Sequence, residues 1–210
     1  MTIIVASLEP RRVTVVTDTL KADGNILVSF GSKTMTWPHI SAVAAFRGVT
    51  DTIRQAAVYF EGAALEGGVD GASKALGIVR DRVWDPERGL EGAFFGWSPQ
   101  GRFIGWHFSA PDFERRDLSD GVHFWPEIEQ ELPEAAALAL KPLALMLKDS
   151  LNRSVQAETG NPDAVSAGGE LIETIVTAKG IEQRKIWRDP DYENMRNRII
   201  EHRQRARAGC

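Results

Sequence analysis

Residues 1–24 read MTIIVASLEPRRVTVVTDTLKADG, and residues 28–51 read VSFGSKTMTWPHISAVAAFRGVTD. Two β-branched runs open the chain, Thr2–Leu8 and Arg12–Thr17, with Glu9-Pro10-Arg11 between them. Branched side chains fit a pleated surface and proline presets a turn, so the pair predicts a hairpin at the start of the chain. Polar Asp18–Asn25, which contains Asp23-Gly24, reads as a turn. Ile26–Phe30 and Lys33–Trp37 are short strand candidates around Gly31, and the apolar run Ile40–Phe46 predicts a buried strand. Four residues of chemical use then fall at element ends. Thr2 starts one strand, Asp18 closes the next, Lys33 begins another, and Gly48 lies between a strand and a helix.

Beyond this stretch, Thr50 or Asp51 caps a helix running to about Glu61, with Ile53, Ala56, Ala57 and Phe60 on one face. Gly62–Gly68 loosens the chain before a second helix over Asp70–Val83, which Asp85-Pro86 ends. Gly92–Trp97 and Arg102–Phe108 form a hairpin across Ser98-Pro99-Gln100-Gly101, and Ser109–Trp125 reads mostly as loop and edge. Pro126–Leu140, broken near Pro133, and Pro142–Val155, opened by its proline, predict a second helix pair. Ile172–Ala178 and Ile181–Trp187 make a last hairpin across Lys179-Gly180. The charged segment from Asp191 to Gly209 reads as a surface helix that frays or becomes ordered on a partner. This order predicts an α+β fold, a four-layer α/β/β/α sandwich with two antiparallel sheets between helix pairs. Residues 1–188 form its one domain and residues 189–210 a charged helical tail.

Composition narrows the function. The chain has 210 residues, of which 43% are hydrophobic and 26% charged, and this is ordinary for a soluble globular domain. A formal net charge of -4 argues against a nucleic-acid partner, which needs a basic face. Cys210 is the only cysteine, so no internal disulfide forms. No apolar run is long enough to span a membrane, and the first residues lack the pattern of a signal peptide, so a cytoplasmic site is expected. His39, His107, His123 and His202 have no ligand-like spacing, and neither a dinucleotide fingerprint nor a phosphate loop is present, so no metal and no cofactor is expected.

In order and spacing, these residues resemble those of the proteasome-type N-terminal-nucleophile hydrolases, including the bacterial two-component protease of that fold. The resemblance runs over about Thr2–Ile186 and is most specific in the first 50 residues. It implies that Thr2, exposed by removal of Met1, attacks a carbonyl. It matches Asp18, in VVTDT, to the family aspartate and Lys33, in GSKT, to the family lysine. It matches Gly48, in AAFRGVTD, to the glycine whose amide serves the oxyanion. The later segment DAVSAGGELIETIVTAKGIEQ, residues 163–183, supplies Asp163 and Ser166 as supporting groups. The family has a basic residue two places after its aspartate, where this chain has Leu20. Ala167 separates Ser166 from the Gly-Gly pair. SDGVHFWPE stands where a small Ser-Gly loop is usual, leaving Ser119 as a weak candidate. The substrate cleft implied near Gly48 takes in Lys21, Ala22, Phe46, Arg47 and Thr50.

The chemistry implied is specific. A threonine hydroxyl needs a base, and an N-terminal amine with a reference pKa of about 8 can be one. Lys33 would tune that amine, Asp18 would hold Lys33, and the Gly48 N–H would stabilise the tetrahedral oxyanion. This reading implies a peptide or protein substrate, self-association into rings, and a regulatory partner of unknown kind. A second reading is a non-catalytic assembly or interaction protein of the same fold with Met1 retained. It takes Asp18–Lys33 as a structural ion pair, Lys33 as an edge-strand charge, Asp163 and Ser166 as loop or cap residues, and Gly48 as a bend. A third is an unrelated α/β protein.

Overall fold

The computed structural model describes residues 2–23, 26–126 and 139–208. Met1, the Gly24 position and most of the helix expected over Pro126–Leu140 lie outside the described residues. The opening hairpin forms as expected: β1 (Ile4–Glu9) pairs antiparallel with β2 (Arg12–Asp18), Ile4 opposite Thr17. β11 (Glu170–Thr177) joins the other side of β2, β12 (Gly180–Arg188) follows it, and β10 (Gly121–Trp125) lies outside β1. The second five-stranded sheet runs β5 (Thr34–Trp37), β6 (Ala42–Gly48), β7 (Leu90–Trp97), β8 (Phe103–Ser109) and β9 (Arg116–Leu118).

Three sheets are present among the described residues, where two were expected. The additional one is β3 (Leu20–Asp23) paired with β4 (Ile26–Phe30). The segment read as a plain turn holds a strand because Leu20, buried like Leu27, has an apolar partner further along the chain. Likewise Arg116–Leu118 and Gly121–Trp125, in the segment read mostly as loop and edge, are edge strands. Each is recruited by a neighbour in its sheet rather than by its own periodicity.

Alternating side chains give each large sheet two apolar faces. Ile4, Ala6, Leu8, Val13 and Val15 pack with Val43, Ala45, Ala93, Phe95 and Phe103 in one buried cluster that joins the two sheets. The opposite face of the second sheet meets α1 (Thr50–Ala72) and α2 (Leu76–Arg82), through Phe46, Phe94, Trp106 and Phe108 on the strands and Phe60 on α1. Phe94 and Trp106 stack with centroids 4.1 Å apart, and the Trp106 indole donates to the Val69 carbonyl at 2.9 Å. On the first sheet, Ile3, Val5 and Val16 pack against Leu143, Ala144 and Leu147 of α3 (Leu140–Thr159).

Helix boundaries moved for local reasons. The cap of α1 is Val49, without a side-chain hydrogen bond, and Asp51 instead sits in the first turn, where its charge suits the helix dipole. α1 runs past Gly62 but turns non-helical at Gly67 and Gly68. α3 begins two residues before Pro142, which tolerates the first turn because no intrahelical N–H bond is made there.

The C-terminal segment forms α4 (Tyr192–Ala208). Met195 and Ile199 bury against Leu20 and Leu27, and Tyr192 stacks on Phe30 at 4.5 Å. The β3–β4 hairpin stands outside both large sheets, so its apolar face is covered from α4. Met195→Ala and Ile199→Ala should each cost about 2–5 kcal/mol in urea denaturation. Hydrogen exchange should accelerate first in residues 20–23 and 26–30, ahead of β1 and β2; equal protection of all four strands would contradict this packing role.

Candidate active site

The site is built on the end of β2. Asp18 is fully buried, at 0% exposure. Its Oδ1 accepts from the Ile3 N–H at 2.9 Å and from Lys33 Nζ at 2.8 Å. Its Oδ2 accepts from Lys33 Nζ at 2.9 Å and from the Gly168 N–H at 3.1 Å. A carboxylate without water needs such a set of donors, and here they come from three separate parts of the chain.

The approach of each donor follows from the strands. The β1–β2 register puts Ile3 beside Asp18, one residue after Thr2, which is itself buried. On the other side, the Leu20 N–H donates to Gly168 O at 3.0 Å and the Glu170 N–H to Thr19 Oγ1 at 2.9 Å, fixing the Gly168–Glu170 turn. Gly169 has φ +83°, and a Cβ there would meet Thr19 Oγ1 at 2.6 Å, so only glycine suits this approach. Lys33 arrives from the loop after β4, held by Gly31 N–H to Thr19 O at 2.9 Å and Phe46 N–H to Lys33 O at 3.2 Å.

Burial pulls the Lys33 ammonium below its ordinary 10.5. The charge and hydrogen bonds of Asp18 oppose that pull, while the charges of Lys21 and Arg47 add to it. Gly48 lies two residues past Phe46 on β6, with φ +142°. A Cβ there would meet the Gly89 carbonyl oxygen at 2.5 Å, so the chain reverses at a position open to glycine alone.

Of the residues singled out in the sequence, the structure brings Asp18 and Lys33 into direct contact, beside the backbone next to Thr2. Gly48 lies two residues beyond Phe46, whose N–H donates to the Lys33 carbonyl. Asp163 and Ser166 are engaged elsewhere. Asp163 is exposed, its N–H donates to Asn161 Oδ1 at 2.9 Å, and its carbonyl accepts from Arg198. Ser166 donates its hydroxyl to Leu151 O at 3.4 Å, and its N–H donates to Asn152 Oδ1 at 2.9 Å. With Ala167 inserted, it is Gly168 that reaches Asp18. Phe46, expected in a cleft, is buried against Phe60 and Phe94. An open cleft of ≈ 390 Å³ lies instead beside Thr19, Phe30 and Ser32, walled by Glu170, Gln183 and Lys185.

Asn152 and the Gly168 amide were not legible as site groups, because a helix asparagine and a glycine carry no motif of their own. Nor was a second charged cluster. Arg47 pairs with one oxygen of Glu91, and His107 Nε2 lies 2.9 Å from the other. Burial pushes the Glu91 carboxyl up, but the His107 bond and the Arg47 charge outweigh it and hold it below its ordinary 4.5. His107 stacks on Trp125, at 5.0 Å between ring centroids.

A buried lysine–carboxylate pair at the end of a hairpin, beside a residue near the N-terminus, defines the site's class in geometric terms. Two solved structures of Anbu from Hyphomicrobium sp. strain MC1 share the fold. One, a Gly-1 mutant, is 14% identical with a TM-score of 0.64 and covers 100% of this chain and 96% of its own. The other is 13% identical with a TM-score of 0.63, covering 99% and 96%. No family model matches the chain, and no curated protein matches it. The resemblance to the proteasome-type hydrolase family and its two-component protease is corrected accordingly: at this identity the likeness is one of fold and does not place the chain in that family. Its motifs are a few residues each, at strand ends where charge and glycine recur for structural reasons. Among the described residues, no helix is long and apolar enough to cross a membrane.

Lys33→Met strands a carboxylate at a site closed to water, and should cost about 3–5 kcal/mol in urea denaturation. An Asp18→Asn/Lys33→Met double variant should recover part of that loss. Because the folded Lys33 releases its proton below 10.5, the unfolded chain binds more protons between the two values. Its contribution to stability therefore rises with pH across that window, and the wild-type advantage over Lys33→Met should grow there; a flat difference would contradict the lowered value.

Proposed function

We propose that the chain is a threonine-type amide hydrolase with an Ntn-like fold, acting through Thr2 once Met1 is removed. The observation that carries this reading is the Asp18 carboxylate, which binds Lys33 and the Ile3 amide one residue from Thr2. The two sheets packed face to face, with α1 and α2 on one side and α3 on the other, are read here as an α/β/β/α sandwich. Residues 1–188 are taken as this unit and 189–210 as its charged tail, which carries α4.

The α-amine of Thr2 takes the proton of its own hydroxyl as Oγ1 bonds to the carbonyl carbon. The Gly48 N–H supports the resulting oxyanion. The C–N bond then breaks, with the proton passing to the leaving amine. Water attacks the ester at Thr2 and releases the acid. In this reading Lys33, held by Asp18, steadies the amine in its neutral form through its charge. The substrate is a peptide or protein, and the working form is a cytoplasmic ring of identical subunits.

A second reading, a non-catalytic assembly protein of the same fold that keeps Met1, draws on one observation. The Ser166 hydroxyl is spent on the Leu151 carbonyl rather than facing the site. The two separate in one experiment on protein purified from its own host. Intact mass should show loss of Met1, and a peptide epoxyketone or boronate should label Thr2. Thr2→Ala should abolish labelling, and Lys33→Ala should slow it by on the order of 100-fold or more. A mature protein that retains its methionine sinks the hydrolase reading.

A further inference from the structure

Arg47, Glu91 and His107 sit on three adjacent strands, β6, β7 and β8, next to Gly48. Arg47 is opposite Glu91 in the strand register, and Gly48 is opposite Leu90. Glu91 is shared, one oxygen to Arg47 and the other to His107. Arg47 Nε is buried without a hydrogen-bond partner among the described residues, so the guanidinium is held from one end only. His107 is backed by Trp125, whose strand partner is Ile4, two residues from Thr2. The cluster thus spans from the first strand to the reversal at Gly48.

We propose that Arg47, Glu91 and His107 form a charge-coupled brace that holds the Gly48 reversal and sets the net charge facing Lys33, with Glu91 as its positioning residue. Among the described residues, the groups acting on Lys33 include Asp18 from β2, Lys21 from β3 and Arg47 from β6. Glu91 partly cancels Arg47, and His107 occupies the oxygen that Arg47 leaves. As a role in catalysis this rests on the hydrolase reading, but the brace itself is read without any activity.

The test follows Lys33 by NMR of the full chain labelled with ¹³C at lysine Cε. Glu91→Gln leaves Arg47 uncompensated, and should move the Lys33 titration lower by on the order of 0.5–1 pH unit. Arg47→Gln removes the like charge and should move it higher. Arg47→Lys keeps the charge and should leave it near the wild-type position. Opposite signs in the two neutral variants are the signature, because loosened packing would not reverse sign with the charge removed. If one of them fails to fold, the other still carries its sign against Arg47→Lys. A Lys33 titration that stays put, or moves the same way in both, overturns the brace. Absent labelling of wild-type Thr2 removes the hydrolase reading but leaves these shifts intact. Labelling together with an unmoved Lys33 removes the brace alone.

Discussion

The Asp18 carboxylate organises this molecule. With no exposed surface it cannot be solvated, and a lone buried charge costs several kcal/mol. Its solution is to recruit the amide after Thr2 on one side, the amide of Gly168 on the other, and the Lys33 ammonium from the loop after β4. Those partners belong to the first strand, the entry to β11 and the entry to β5. One carboxylate therefore joins the N-terminus, the late loop and the second sheet.

Two glycines shape the backbone around this site. Gly169 lets the late loop lie against Thr19, and Gly48 lets β6 reverse against the Gly89 carbonyl. Each has a positive φ and no room for a Cβ, so backbone and site geometry are set together. Beneath them the sheet-to-sheet cluster and the aromatic layer under α1 supply rigid support. Groups carried on strand ends above such a core keep their spacing better than groups on free loops.

How much of this could be read from the chain depends on what each residue uses for its role. The opening hairpin, the strands around Phe94 and Phe108, and the last hairpin were legible because their alternation and turns are local. β3, β9 and β10 were not, since Leu20, Leu118 and Val122 become strand residues only through partners far along the chain. Asp18 and Lys33 stood out as charges at strand ends. The Gly168 amide, Asn152 and the shared Glu91 did not, because a backbone N–H, a helix amide and a strand carboxylate acquire meaning only through what the fold sets beside them.

Charge balance decides how the Asp18–Lys33 pair is best understood. A pair kept only for structure gains nothing from extra cations, since a buried ion pair is already near break-even against apolar packing. Here Lys21 and Arg47 both act on Lys33, and with burial they pull its ammonium downward while Asp18 pulls it up. That arrangement weakens the pair as a fastener. It also moves the lysine toward the range in which it can exchange a proton or tune a neighbouring amine. The like charges are expensive as architecture, and they act on the lysine that the proposed chemistry would need.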